Sequence, residues 1–159
     1  MKALTLWRPW PAAILFLGKR VENRTWVPPS SVIGQTIAIH AGKRIDDPRA
    51  LGGDGGFTRA EIALYNERRL AEGIVGIARL VACRRSCPPG QERWWCGPFG
   101  WLLDEVQVLD RPIPCRGAQG LWEVPEEIEL EVDGQLDDAR RDDEEYHLNL
   151  MARDEGYER

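Results

Sequence analysis

The sequence predicts an α+β fold in which helices pack on a small, curled sheet or β-barrel. Two observations lead to this prediction: short segments with the polar–apolar alternation of strands recur along the chain, and they do not alternate regularly with helices. Composition agrees, since 159 residues with 43% hydrophobic and 30% charged side chains are typical of one soluble globular domain. A doubly wound parallel sheet is therefore disfavoured.

The strands are predicted from alternation or from apolar runs. The segment KALTLW alternates, whereas IVGIARLVAC is a long apolar run of the kind found in buried strands. In QTIAIHA, Ile37 and Ile39 share one face of the strand and His40 lies on the other. The predicted strands span residues 2–7, 20–26, 35–41, 74–83, 101–109 and 119–124.

Two helices are predicted from the residues at their ends. A helix of about two turns is predicted over about residues 10–17, because Pro11 suits the first helical position and Gly18 suits the residue just past the end. Thr58 and Glu61 form a T-x-x-E capping box that opens a second helix over residues 58–71.

The end of the chain is predicted to differ from the rest. Residues 128–132 (IELEV) alternate as a strand does, and the following Asp133-Gly134 is a turn signal. The remainder is dominated by charge. We therefore predict a domain over residues 1–135 and an acidic tail or solvated helix over residues 136–159.

Charge is divided unevenly along the chain. The net charge is −5, but residues 1–100 carry 15 basic and 8 acidic side chains, whereas residues 101–159 carry 6 basic and 18 acidic ones. Such asymmetry indicates a basic functional body with an acidic end. The body is therefore compatible with a nucleic-acid partner, and the acidic end either regulates it or confers solubility alone.

Signals for membranes, secretion and cofactors are lacking. The longest apolar run, AAILFLG, is far shorter than the roughly 20 residues that cross a bilayer. Arg8 and the prolines that follow interrupt what would be the apolar core of a signal peptide. Neither a GxGxxG nor a P-loop phosphate motif occurs. We expect a cytoplasmic protein with no membrane partner and no cofactor.

Metal and nucleophile chemistry have weak support. The 2 histidines and the absence of a GxSxG elbow argue against a Ser-His-Asp or Cys-His nucleophile and against a His-rich metal site. The spacing of Cys83, Cys87, Cys96 and Cys115 matches no compact zinc pattern. In a cytosolic protein these cysteines are either inert thiols, the favoured interpretation, or zinc ligands.

The most informative stretch is GKRVENRTW, which follows the first predicted helix. Lys19 lies where that helix ends, and Glu22, Arg24 and Trp26 share one face of the predicted strand because side chains repeat every two residues. An acid, two cations and an indole can together recognise a planar heterocycle by hydrogen bonds and stacking. The alternative is an ordinary surface salt bridge, which contributes little to stability.

Three further residues are candidates for the same cleft. Trp7 is, with Trp26, one of the two tryptophans that flank the charged cluster in sequence, so these are the stacking candidates. His40 either points into the cleft or only hydrogen-bonds a backbone carbonyl. Lys43, just after the same strand, contacts phosphate or is a solvated loop charge.

Three segments together resemble the ASCH family (activating signal cointegrator homology): LTLWRPWPAAILFLGKRVENRTW, IAIHAGKR and GPFGWLLDEVQVLDRPIPCRGAQGLWEV. The family hallmark is G-x-K-x-x-E-x-R, which corresponds here to Gly18, Lys19, Glu22 and Arg24. The lysine follows the glycine directly, one residue earlier than in the hallmark, whereas the other two intervals agree. The resemblance covers roughly residues 3–125.

The resemblance implies a PUA-like β-barrel with packed helices and a cleft for RNA or modified nucleosides. ASCH relatives include an amidohydrolase that deacetylates acetylcytidine and proteins with ribonuclease activity. In the amidohydrolase branch a threonine nucleophile lies three residues after the lysine. That position is Glu22 here, so deacetylation through an acyl-threonine does not carry over.

Three functions follow as hypotheses. The first is binding of RNA or a modified nucleobase in the Lys19, Glu22 and Arg24 cleft. The second is hydrolysis, of RNA or of a modified nucleoside, with Lys19 and Glu22 as general acid and base. The third is a protein-interaction module whose acidic tail binds a basic partner or folds over the chain's own basic cleft.

Overall fold

The computed structural model of the chain describes residues 1–46, 57, 58, 60, 61 and 72–155. The chain forms two compact units, residues 1–124 and residues 125–159. The first unit carries the sheet and all of the predicted cleft residues, and the second carries one long helix.

Six strands in the first unit form one sheet. The strands are β1 (Lys2–Arg8), β2 (Val21–Arg24), β3 (Thr36–Ile45), β4 (Gly73–Arg84), β5 (Phe99–Ile113) and β6 (Leu121–Glu123). Their spatial order is β2-β5-β4-β3-β1-β6. The β1 and β3 strands are parallel and the other neighbouring pairs are antiparallel. The α+β prediction is confirmed. The pairing among the described residues leaves β2 and β6 at the sheet edges, so closure into a barrel stays a prediction.

The six strands lie close to their predicted positions. The largest difference is in β5, which extends the predicted 101–109 to Phe99–Ile113, and the next largest is in β3. This strand continues beyond residue 41 to Ile45, so Lys43 lies within the strand and not in the loop after it. Its central residues are buried on both faces, with Ile37, Ala38 and Ile39 all at 0% exposure. Burial on both faces gives β3 the apolar character that the sequence shows.

The α1 helix (Trp10–Phe16) has the predicted end signals. Pro11 lies in its first turn, and Gly18 adopts a left-handed conformation with φ of +73° just past its end. This turn brings the Lys19 amide back to donate to the Ala13 carbonyl at 3.1 Å. The helix end therefore sets the position of Lys19.

The predicted capping box at Thr58 is present. The Thr58 amide donates to the Glu61 carboxylate at 2.7 Å, and the Glu61 amide donates to the Thr58 hydroxyl at 3.2 Å. The rest of the helix predicted over 58–71 lies outside the described residues.

The predicted strand at 128–132 is wrong, because this segment belongs to α2 (Glu126–Glu155). Glu126, Glu127 and Glu129 in its first turn favour the positive end of the helix dipole. Glycine is tolerated within a helix at a cost of about 1 kcal/mol, so Gly134 does not end it. The predicted boundary between residues 135 and 136 falls inside this helix. No described helix has the length and apolar character needed to span a bilayer.

Candidate functional site

Lys19, Glu22 and Arg24 form one connected ionic cluster. Lys19 Nζ lies 2.7 Å from Glu22 Oε2, and an Arg24 terminal nitrogen lies 3.3 Å from Glu22 Oε1. Lys19 Nζ also donates to the Val21 carbonyl at 2.5 Å. The register of β2 against β5 places Glu22 opposite Trp101 and Arg24 opposite Phe99, so both side chains leave the same face. Glu22 thus holds one cation on each oxygen.

Burial separates this cluster from an ordinary surface salt bridge. The side chains of Lys19 and Glu22 are only 3% and 11% exposed. Taking two charges out of water is costly, and close pairing with additional hydrogen bonds offsets that cost. A buried ion pair such as Lys19–Glu22 is weak evidence for a role in stability, and the space beside it is therefore relevant to function.

Lys19 and Glu22 line a cavity of about 240 Å³, here called the first cavity. Its other walls come from α1, β2 and the segments after β3 and β4. The described residues that line it are Trp10, Lys19, Glu22, Asn23, Asp46, Trp94 and Cys96.

Side-chain hydrogen bonds hold the walls of the first cavity. The Asn23 amide nitrogen donates to the Trp94 carbonyl at 2.6 Å, and the Cys96 amide donates to the Asn23 side-chain oxygen at 3.0 Å. Trp10 Nε1 donates to the Asp46 carboxylate at 2.9 Å. Asn23 therefore fastens the backbone of the segment after β4 onto β2, and the bond to Asp46 fixes the Trp10 indole.

A second layer supports the two indoles. The ring of Phe57 lies 5.6 Å from the ring of Trp10 and 5.9 Å from the ring of Trp94. Arg93 makes two hydrogen bonds to the Glu61 carboxylate, at 2.7 and 2.8 Å, and its guanidinium lies 4.2 Å from the centre of the Trp94 ring. These hydrogen bonds from Arg93 lower the pKa of Glu61 to about 2.

Arg24, Trp7, His40 and Lys43 line a different and larger space of about 1060 Å³, here called the second cavity. It lies over β1 and β3 and is bounded by the segment between β5 and β6. Its remaining lining residues are Thr5, Ala41, Gly42, Glu72, Pro114, Cys115, Arg116, Gly117, Ala118, Gln119 and Gly120.

His40 is buried at 3% exposure and makes one hydrogen bond, between Nε2 and the Cys115 carbonyl at 3.1 Å. Burial lowers its pKa. Its Nδ1 is buried and has no hydrogen-bond partner among the residues that the structure describes. The edge of its ring meets Trp122 at 5.5 Å. His40 therefore bonds a backbone carbonyl, as one interpretation expected, and it lines the second cavity rather than the one that Lys19 and Glu22 line.

The two predicted stacking residues differ in their surroundings. Trp26 packs edge-on against the buried Trp101 at 4.6 Å, and Trp101 Nε1 donates to the Trp26 carbonyl. Trp26 lines neither cavity and packs against the hydrophobic core. Trp7 is 42% exposed, and the Arg44 guanidinium lies 3.5 Å from the centre of its ring.

The four cysteines are free thiols. Burial raises the pKa of each, so all are held in the protonated form. Within the described ranges no group of three or more His, Cys, Asp and Glu side chains is arranged to hold a metal ion.

Sequence reasoning missed most of the first cavity. Two of the missed residues had a signal in the sequence. Trp10 belongs to the LWRPW segment of the ASCH resemblance, and Asn23 lies between two predicted site residues. Trp94 and Cys96 come from a segment more than 70 positions away, and only the pairing of β2 with β5 brings them near Lys19.

Two solved structures share this architecture. They are an ASCH protein from Zymomonas mobilis and a point mutant of the same protein, each with a TM-score of 0.53 and 17% sequence identity. Each match covers 84% of this chain, and 93% and 94% of the respective neighbour. Neither the scan of family models nor the search of curated proteins found a match. The chain thus has the fold of the ASCH domain, which confirms at the level of the fold the resemblance seen in its sequence.

Proposed function

We propose that this protein binds RNA or a modified nucleobase, with a single base held in the first cavity. The observation that supports this most directly is the buried Glu22, which contacts a cation through each oxygen and still lines the cavity. A carboxylate has about four lone-pair sites, so two contacts leave it able to accept from a ring N–H or an exocyclic amine.

Lys19 complements Glu22 on the same wall. An ammonium has three donors, and the Val21 carbonyl and Glu22 take two of them. The third is available to a carbonyl oxygen of the base. An acceptor beside a donor matches the edge of a nucleobase, which presents both kinds of group.

The size and walls of the first cavity agree with a single ring system. Its volume of about 240 Å³ lies just below the roughly 300–1,000 Å³ of sites for drug-sized ligands. Trp10 and Trp94 provide aromatic surface, and stacking of a base on an aromatic side chain contributes about 1–3 kcal/mol. The Trp10 indole is held by its hydrogen bond to Asp46 and the Trp94 indole by burial, so little side-chain freedom is lost on binding.

The test is a titration of nucleosides and short RNAs into the wild type and Glu22→Gln. This substitution keeps the shape and removes the charge, so we expect binding to weaken by about 1–3 kcal/mol. Glu105→Gln is the matched control, because Glu105 is exposed, pairs with Arg79 and lines neither cavity. Equal affinities for the wild type and both variants would refute the proposal.

The second candidate is hydrolysis of RNA or of a modified nucleoside. The contact between Lys19 and Glu22 supports it, since a buried acid and base 2.7 Å apart are placed for proton transfer. The relevant variant is Lys19→Met, assayed by mass spectrometry of nucleosides and RNA after incubation. If the pair is catalytic, the wild type forms product and Lys19→Met forms none while still binding RNA. Absence of product from the wild type excludes hydrolysis of the compounds tested and leaves binding as the function.

A further inference from the structure

We propose that the second cavity binds the sugar and phosphate of the nucleotide next to the bound base, and that it selects ribose over deoxyribose. This inference rests on the proposed function, because the same strand must occupy both cavities. It implies that the ligand is a strand of RNA and not a free nucleoside.

Two unpaired polar atoms belong to residues that line the second cavity. Within the described residues, Arg24 Nε and His40 Nδ1 are buried without a hydrogen-bond partner. Most buried polar groups in proteins are paired, so each exception needs an explanation. A ligand that contacts both would explain them together.

The two atoms require opposite hydrogen-bonding partners. Arg24 Nε carries a hydrogen and needs an acceptor, and a phosphate oxygen is the acceptor that guanidinium groups bind best. His40 needs a donor: its Nε2 lies against the Cys115 carbonyl and must donate, so in the neutral ring Nδ1 has only a lone pair. An ionised phosphate oxygen cannot donate to that lone pair, but a sugar hydroxyl can.

A ribose phosphate supplies both groups within one unit. The 2′-hydroxyl is a donor and an acceptor, and it is the group by which proteins distinguish RNA from DNA. Deoxyribose within a strand has no free hydroxyl to offer Nδ1. The pair of unpaired atoms therefore predicts a preference for RNA.

Arg24 connects the two cavities. Its terminal nitrogen contacts Glu22, which lines the first cavity, while Arg24 itself lines the second. A phosphate bound by Arg24 and a base bound by Glu22 would thus be held by two side chains in direct contact, as a strand that passes from one cavity to the other requires. The next base can stack on Trp7, which is 42% exposed and lines the second cavity, in place of the Arg44 guanidinium that lies over its ring.

The charge of the second cavity suits a phosphodiester backbone. Among the residues that the structure describes, Arg24, Lys43 and Arg116 line it against one carboxylate, Glu72. The Lys43 side chain is 88% exposed and lies 3.9 Å from Glu72, a contact that water and salt screen strongly. Lys43 can therefore turn to a phosphate at little cost.

Access to His40 depends on the segment between β5 and β6. A Cβ placed on Gly117 would lie 2.7 Å from His40 Nδ1 and 2.5 Å from the neighbouring ring carbon, so the bare backbone of Gly117 covers this edge of the ring. Binding of the hydroxyl requires this backbone to shift. Gly120 in the same segment has φ of +70°, a conformation that glycine adopts without strain.

The experiment compares the binding of three labelled single strands: RNA, DNA and 2′-O-methyl RNA. All three have the same mixed-base sequence and a length of about 12 nucleotides. The methylated strand keeps the oxygen and loses the donor. We expect the full-length wild type to bind RNA at least about tenfold more tightly than either other strand, which corresponds to about 1.4 kcal/mol. Equal affinity for RNA and 2′-O-methyl RNA would overturn the inference.

Two substitutions at His40 form a matched pair. In His40→Gln the longer side chain can keep a donor near the Cys115 carbonyl and lacks an acceptor at the position of Nδ1. In His40→Asn the shorter side chain places its amide oxygen near that position. We expect the glutamine variant to lose the preference for RNA and the asparagine variant to retain part of it. Retention of the full preference by a folded His40→Gln protein would contradict the inference.

A third measurement uses substitutions of surface lysines and so requires no change in the buried core. Lys43→Gln removes an exposed charge from the second cavity, and the control Lys2→Gln removes a lysine charge from β1 that lines neither cavity and pairs with Glu123. The slope of log affinity for RNA against log salt should fall by about 0.7 in Lys43→Gln only. Identical slopes for the two variants would count against the second cavity as a phosphate site.

These arms separate this inference from the proposed function. Glu22→Gln reports on the first cavity, whereas His40→Gln and Lys43→Gln report on the second. If only the Glu22 effect appears, the second-cavity inference is wrong and the proposed function stands. If only the His40 and Lys43 effects appear, the base-binding role of the first cavity is wrong.

Discussion

The two cavities differ in how completely their polar groups are satisfied. In the first, Lys19, Glu22 and Asn23 all have close partners within the protein. In the second, Arg24 Nε and His40 Nδ1 have none among the described residues, and Lys43 is largely exposed. The polar groups of the first cavity are therefore already paired within the protein, whereas, under the inference above, the second would gain its missing partners from a ligand.

The largest expected effect is on the buried pair of the first cavity. Lys19→Met leaves the Glu22 carboxylate buried with Arg24 as its remaining cation, so we expect the free energy of unfolding to fall by about 3 kcal/mol. Urea denaturation measures this change. Lys2→Met, at the exposed pair with Glu123, should change stability by less than about 1 kcal/mol. Similar losses in both variants would show that the first cavity is not specially organised.

A smaller effect is expected at the wall of the first cavity. Asn23→Ala removes the bonds to the Trp94 carbonyl and the Cys96 amide, so we expect a loss of about 1–3 kcal/mol in stability and weaker binding of nucleosides. The ratio of RNA to DNA affinity, which depends on the second cavity, should stay unchanged. A change in that ratio would show that the two cavities do not act separately.

The stabilisation that the Glu61–Arg93 ion pair gives to the layer behind the first cavity should depend on pH. The pKa of Glu61 is about 2, below its ordinary value of 4.5, so in this range the unfolded chain binds more protons than the folded one. The stabilisation from Arg93 is complete above about pH 4.5 and is lost as the pH falls toward 2. Plots of unfolding free energy against pH should be flatter over this window for Glu61→Gln than for the wild type and the Glu105→Gln control. Parallel plots for all three proteins would contradict this.

The smallest effect is expected at His40, in the second cavity. Burial lowers its pKa below the ordinary value of 6.5, so the unfolded chain takes up a proton first as the pH falls. Stability should therefore decrease as the pH drops below about 6.5, and His40→Gln should remove this dependence. Thermal unfolding at a series of pH values measures it. An unchanged dependence in the variant would assign the effect to other groups.

The local pattern of the chain was sufficient for the core of the site. The ends of α1 and the two-residue period of β2 placed Lys19, Glu22 and Arg24 together, because these are short-range geometric relations. The same local reasoning failed at 128–132. Five alternating residues can form a strand only beside a partner strand, and here the acidic first turn and the neighbouring helix formers favour α2.

Only the tertiary structure decided how the predicted residues are distributed between two cavities. Strand β2 pairs with β5, and the hydrogen bonds of Asn23 fasten Trp94 and Cys96 beside Lys19. The packing of Trp26 on Trp101 removes it from the site, while the pairing of β3 with β1 places His40 beside Thr5 in the second cavity. These outcomes depend on contacts between residues far apart in sequence, which residue type and spacing do not encode. The sequence by itself therefore determined which charged groups meet, and the long-range pairing of strands determined what surrounds them.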